Sequence, residues 1–258
     1  MIAAGGWRRT LTPVALAVVV FGLVVAITLL TRKMGSFVVV WPVNALVLAV
    51  ALTSARAERS LLLGSAFVGN ALAVAVVGNS LPMALLMALT NLVEVGIMLA
   101  ILGRSSPLRL MRRSGMPRFG VAAVVACVAS VATAEAGLMA AGYRPTVAGA
   151  SLWFAANLLG LLVFTPLLLT ALNRRLAELF GANRIQTALG LGFLVIVSTA
   201  TFLQSSLPLL FLPAAALTLV AIRSGIAGAA FGALLVSIIA VVATAHDVGP
   251  LVLVAGEA

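Results

Sequence analysis

Apolar runs long enough to cross a bilayer recur along this chain, and they leave it few folds to choose from. A spanning helix needs about 20 consecutive apolar residues. Nine candidates are readable: Leu11–Leu30, Phe37–Leu52, Ser60–Val77, Leu81–Leu102, Phe119–Ala141, Ala150–Ala171, Thr187–Leu203, Leu207–Ile222 and Gly225–Thr244. Turn formers separate them at Gly78-Asn79-Ser80, Gly103 to Pro107, Gly142 to Pro145 and Gln204-Ser205-Ser206. Lipid offers unpaired backbone groups no water, and these runs far exceed the length of a barrel strand, so helices are required. The expected fold is all-α, a polytopic transmembrane helical bundle of eight to ten spans. Residues 1–258 are read as one integral membrane domain.

Composition removes the competing classes. The chain is 63% hydrophobic and 9% charged, where soluble domains run about 45–50% and about 25%. A soluble enzyme, a disordered tail and a disulfide-stapled secreted domain are excluded. The single Cys127 lies inside an apolar run and has no intrachain partner. The first run, Leu11–Leu30, follows Arg8 and Arg9 as a signal peptide would, yet it outlasts a 7–15-residue signal core and reads as a retained span.

The net charge of +10 is spread through loops rather than gathered on one face, which argues for membrane topology and against nucleic acid. With the amino terminus cytoplasmic, Arg8, Arg9, Arg56, Arg59, Arg104, Arg109, Arg112, Arg113, Arg118, Arg174, Arg175, Arg184 and Arg223 fall inside. Only Arg32, Lys33 and Arg144 fall outside. That asymmetry sets the expected orientation. After nine spans the tail from Ala245 to Ala258, with Asp247 and Glu257, lies outside. The chain is then either natively short or cut from something longer, and the expectation is the input half of a longer signalling protein.

Polar side chains at membrane depth are costly and face the protein interior or a wet cavity. Here they are Asn44, Asn70, Asn91, Glu94, Glu135 and Asn157, with Trp41 and Trp153 nearby. At 1.5 Å per residue, Asn44 and Asn157 lie ~11 Å below the outer ends of their runs, Asn91 ~15 Å and Glu94 ~20 Å. Five spans thus deliver polar groups to one depth range. Asn91 and Glu94, three apart, share a helix face, as do Thr90 and Glu94. Each Asn has a plain alternative as hydrogen-bonding glue between helices, and the tryptophans as an interfacial belt. For Glu94 that alternative is weaker, because no Lys or Arg lies within a span to pair with it. It sits there either as a neutral acid or as a group that takes a cation or proton. Pro42 is expected to kink the second span. Gly228-Ala229-Ala230-Phe231-Gly232 is a GxxxG that permits close helix approach.

Catalytic patterns are poor. His246, beside Asp247, is the only histidine, far short of a metal site. No phosphate-binding loop, dinucleotide fingerprint or kinase or cyclase signature occurs, and neither a catalytic residue, a metal nor a cofactor is assigned. Trp41-Pro42-Val43-Asn44-Ala45-Leu46 and Phe67-Val68-Gly69-Asn70-Ala71-Leu72 look alike, but such matches arise readily in an Ala/Leu/Val-rich chain.

Several stretches, in order, resemble one family. Val40-Trp41-Pro42-Val43-Asn44-Ala45-Leu46-Val47-Leu48-Ala49 is similar to the Trp-Pro-x-x-Gly-Ile-Ala-Leu-Ala motif of the first type of bacterial membrane-associated sensor (MASE) domain. Leu63-Gly64-Ser65-Ala66-Phe67-Val68-Gly69-Asn70 resembles that family's Gly-x-x-x-x-x-Asn, and Trp153 to Leu167 its Trp-x-x-x-Asp-x-x-Gly-x-Leu-x-x-x-Pro. Gly249-Pro250-Leu251 resembles its late Gly-Pro-Phe. Asn44 stands where the family usually has Gly, and Asn157 where Asp is common. The resemblance implies a non-enzymatic sensory module preceding a diguanylate cyclase, phosphodiesterase or histidine kinase, a bacterial inner membrane, and a homodimer.

The expected function is therefore a membrane-embedded input domain that detects a small ligand or a transmembrane partner and regulates a cytoplasmic output. The expected site is an outward-opening pocket, with Asn44, Asn70, Asn91 and Asn157 as amide donors and acceptors. Glu94 forms its floor, Glu135 its wall, and Trp41 and Trp153 its rim. A small-solute transporter or membrane-embedded binding component is the alternative, and a scaffold that binds a membrane partner a third.

Overall fold

The structure is a computed structural model that describes residues 3–33, 40–103, 105, 110, 114–172, 184–205, 207, 209, 211–246 and 248–249. Among these, 86% are helical and none lies in a strand. The helices are α1 (Ala3–Lys33), α2 (Val43–Thr53), α3 (Arg59–Val76), α4 (Leu81–Leu102), α5 (Met116–Ala140), α6 (Val147–Leu172), α7 (Arg184–Phe202) and α8 (Phe211–Ala245), with one 3₁₀ turn at Arg56–Glu58. The start of the second run (Phe37 to Val39), the loop arginines Arg104, Arg109, Arg112, Arg113, Arg174 and Arg175, and Asp247, Pro250, Leu251 and Glu257 lie outside the described residues.

Six described helices are long and apolar enough to cross a membrane: those holding Thr12–Leu29, Arg56–Val76, Leu81–Leu102, Met116–Ala140, Val147–Leu172 and Ile185–Phe202. The other three runs become shorter apolar helices, Val43–Thr53, Phe211–Gly225 and Gly228–Ala240. The last two belong to α8, which bends where Gly225 takes φ 68°, ψ −163°. The sequence places the break one residue pair earlier, at Arg223-Ser224; the structure makes it a bend rather than a loop.

The second run is the clearest departure. Pro42 does not kink a longer helix; it precedes α2, at φ −81°, ψ −10°, and residues 40–42 are non-helical. Proline lacks an N–H and is accommodated best where a helix begins, though Pro13 and Pro166 lie within α1 and α6. The helix that follows has 11 residues, about 16 Å at 1.5 Å per residue, roughly half the ~30 Å hydrocarbon thickness. Pro82 and Pro117 likewise sit in the first turns of α4 and α5. Between α3 and α4, Gly78 turns at φ 98°, and the Asn79 side chain donates to the Val74 carbonyl at 3.1 Å, closing a helix end.

The chain divides into two compact units, Met1–Thr165 and Pro166–Ala258. In the first, α3 packs on α1 and on α4, α4 on α5, and α2 on α4. At the α1–α3 crossing a Cβ on Gly69 would collide with the Ala17 carbonyl, so the residue before Asn70 brings the two backbones together. In the second unit, α7 packs on α8 around Leu191, Leu194, Ala216 and Val220. Gly232, from the GxxxG, faces Leu191, Leu194 and Leu217 there.

Candidate functional site

The site builds up from α4. Asn91 and Glu94 project from one face, as their spacing requires, and Glu94 is fully buried. A carboxylate accepts hydrogen bonds only, so its neighbours must present N–H groups. They do. Asn44 on α2 donates through Nδ2 to Glu94 Oε1 at 2.8 Å, and Asn157 on α6 donates through Nδ2 to Glu94 Oε2 at 2.6 Å. The Asn44 amide also donates to Asn91 Oδ1 at 3.0 Å, spending both of its hydrogens on one face of α4. Asn44 and Asn157 are themselves buried. One carboxylate thus ties together three helices of the first unit.

Backbone geometry fixes the third arm. The Trp41 N–H, which has no helix to join, donates to the Ala156 carbonyl of α6 at 3.0 Å. The Trp41 carbonyl lies against Gly160, where a Cβ would overlap it. The non-helical stretch at 40–42 is therefore seated on α6 between Ala156 and Gly160. Irregular backbone at membrane depth is tolerated when protein satisfies it. This seat brings α2 and Asn157 together and aims both amides at Glu94.

A cavity of about 20 Å³ adjoins the network, lined by Val20, Asn44, Phe67, Asn70, Asn91 and other residues of α1 to α4. Its volume is that of about one water molecule, far below the ~300 Å³ at which organic-ligand pockets begin. Asn70 is 3% exposed, and its Oδ1 is buried with no hydrogen-bond partner. Leaving such an acceptor unpaired costs about 1–3 kcal/mol.

The remaining sequence candidates fall elsewhere. Trp41 contributes its backbone, while its buried Nε1 has no partner. Trp153 is half-buried, one turn before Asn157, and takes no part in the network. Glu135 is half-buried on α5 and is not among the partners of Glu94. Thr90 turns its hydroxyl to the Met87 carbonyl of its own helix. Sequence reasoning passed over Ser130 on α5, which is fully buried and faces the Glu94 carboxylate. Its Oγ lies outside bonding geometry with any partner. A lone serine among small residues carries no signal of its own, and only its neighbour makes it notable. Arg59, counted for topology alone, braces the far end of α2, donating from Nε to the Ala51 carbonyl at 3.0 Å and from a terminal nitrogen to the Gly103 carbonyl at 2.9 Å.

The MASE1 family model matches residues 10–257, nearly the whole chain and both units. The chain belongs to the MASE1 family. MASE1 domains are membrane-associated sensor domains, and six helices of crossing length accord with a multi-pass membrane protein. The Trp153 to Leu167 stretch of this MASE1 domain holds both Asn157, which meets Glu94, and Gly160, which meets Trp41. No curated protein and no solved structure matches the chain.

Proposed function

We propose that this MASE1 domain is the sensory input module of a bacterial signalling protein, lying in the inner membrane with its amino terminus cytoplasmic. Glu94 is the point at which a stimulus acts. Its occupation shifts the packing of α2, α4 and α6, and that shift regulates a cytoplasmic output such as cyclic-di-GMP turnover or histidine kinase activity. The observation that carries this reading is the fully buried Glu94 carboxylate, held among the described residues by the amides of Asn44 and Asn157, with no cationic side chain bonded to it there. Removing a carboxylate from water costs several kcal/mol, and a bundle that needed glue alone is served by amide pairs.

The eight-to-ten span count belongs to the same reading, with α2 and the two halves of α8 added to the six long helices. The orientation rests on the excess of arginine in alternate loops. The homodimer follows from the family resemblance, and in-membrane crosslinking checks it.

Fusing the chain to a diguanylate cyclase catalytic domain and measuring cellular cyclic-di-GMP tests the proposal. Glu94→Gln and Asn157→Ala should each shift output at unchanged membrane abundance. Output identical to the parent in both would overturn it. A transporter has one observation in its favour, the short α2 preceded by non-helical backbone beside a buried acid, as in interrupted transport helices. Cation-dependent solute uptake by reconstituted vesicles would favour that reading instead.

A further inference from the structure

We propose that the cluster of Glu94, Asn44, Asn157 and Ser130 is a binding site for a single proton, taken up and released by the Glu94 carboxyl. The inference rests on the sensory reading above and names the ligand of that same site. Space comes first. Glu94 is fully buried, and the cavity beside its partner Asn44 has room for about one water molecule. A proton is the ligand that displaces nothing.

Hydrogen-bonding capacity comes next. The Asn44 and Asn157 amides each donate to a different carboxyl oxygen of Glu94, so each oxygen keeps a second lone pair. Ser130 is fully buried on α5 and faces that carboxyl. Other hydroxyls on these helices bond their own backbone: Ser65 donates to the Leu62 carbonyl, Thr133 to that of Ala129 and Ser151 to that of Val147. The Ser130 hydroxyl makes no such bond. A hydroxyl both donates and accepts. It can donate to the carboxylate and, after rotation, accept from the protonated acid. One set of side chains therefore serves both states of Glu94.

The surroundings supply no competing charge. Asn44 on α2, Asn91 on α4 and Asn157 on α6 are neutral amides. Among the described residues, the titratable side chain facing Glu94 is the Cys127 thiol, one turn before Ser130 on α5. Uptake adds the proton to one carboxyl oxygen, forms an O–H and cancels the negative charge; no other covalent bond forms or breaks. Hydrogen bonds to an ionised acceptor are roughly twice as strong as those to a neutral one. Uptake thus weakens the ties from α2 and from α6 to α4 together, and release restores them. That is the packing shift the sensory reading requires.

Infrared spectroscopy of the full chain in nanodiscs tests the site. Replacing Glu58, Glu135, Glu178 and Glu257 by Gln leaves Glu94 as the only glutamate, and its carboxyl is labelled with ¹³C. A titration from about pH 4 to about pH 9, the range in which protein carboxyls exchange protons, should convert a labelled acid band into a carboxylate band at one midpoint. The difference between parent and Glu94→Gln spectra should show the same conversion in a chain that keeps its other acids. Ser130→Ala should raise the midpoint by about one pH unit, because a hydroxyl bonds a charged acceptor more strongly than a neutral partner. Cys127→Ala should leave it in place. A Glu94 carboxyl that stays protonated, or stays ionised, across the whole range overturns the proposal. So does a midpoint that Ser130→Ala leaves unchanged. The cyclase fusion separates the two readings. If Glu94 does not titrate yet Glu94→Gln shifts output, the proton is wrong and the sensor stands. If it titrates while Glu94→Gln leaves output identical, the sensory reading falls and the proton site remains.

Discussion

The carbonyl of Trp41 occupies the space that a side chain on Gly160 would need. With the Trp41 N–H on the Ala156 carbonyl at 3.0 Å, this contact holds the start of α2 one turn from Asn157. Gly160→Ala should therefore push the two elements apart. Overpacking of this kind costs typically 1–3 kcal/mol. A lowered unfolding temperature in nanodiscs, with helical content retained, is the expected outcome. A melting curve that overlays the parent would show that the approach is looser than the geometry indicates.

Exchanging amide and carboxylate tests the Glu94 network. Asn157→Asp alone sets a second carboxylate where the amide now donates at 2.6 Å. Two like charges at 4 Å repel by ~4 kcal/mol at an effective dielectric of 20, so the single variant should be markedly less stable. Adding Glu94→Gln restores one acid facing one amide. The double variant should regain most of the lost melting temperature. Additive destabilisation in a double-mutant cycle would count against direct contact.

Arg59 binds the carbonyl ends of two helices at once, Ala51 on α2 and Gly103 beyond α4. Hydrogen bonds from a charged donor are worth about 1.5–3 kcal/mol when buried. Arg59 is half-buried, and exposed charges are discounted by water, so Arg59→Ala should cost about 1–2 kcal/mol in chemical denaturation. Arg59→Lys should recover only part of this, because an ammonium lacks the fork that reaches both carbonyls.

Topology is checked with single cysteines in a Cys127→Ala background. Ala57 and Tyr143 are both exposed, in connections on opposite sides of the expected membrane. A membrane-impermeant maleimide should label Tyr143→Cys in intact spheroplasts and Ala57→Cys only after permeabilisation. The opposite pattern inverts the orientation and moves the acidic site to the cytoplasmic half.

The site was legible in part. Asn91 and Glu94 share a face because a three-residue step on a helix allows nothing else. Asn44, Asn70 and Asn157 stood out because amides in apolar runs are costly. Glu135 stands out for the same reason, yet it is half-buried on α5 and is not bonded to Glu94. Ser130 was overlooked, since a serine costs little in a membrane helix and matters here only through its neighbour. The run at Phe37–Leu52 reads as one span because hydropathy sums transfer energies and ignores backbone continuity. Pro42, by lacking an N–H, ends that simple picture and leaves an 11-residue helix.

An all-helical membrane chain, the turns between its long helices and the placing of Asn44, Asn70, Glu94 and Asn157 within apolar runs follow from the residues alone. Each depends on the cost of moving one side chain or one backbone segment into lipid, a local quantity. Which amide meets which oxygen was decided only in three dimensions. The partners of the Glu94 network are 47, 50 and 63 residues apart. Their meeting depends on how α2, α4 and α6 pack, and on a missing side chain at Gly160 that lets two backbones touch. The cavity beside Asn70 has the same origin. Its size is what remains after four helices have closed on one another, and no pattern along the chain encodes a remainder.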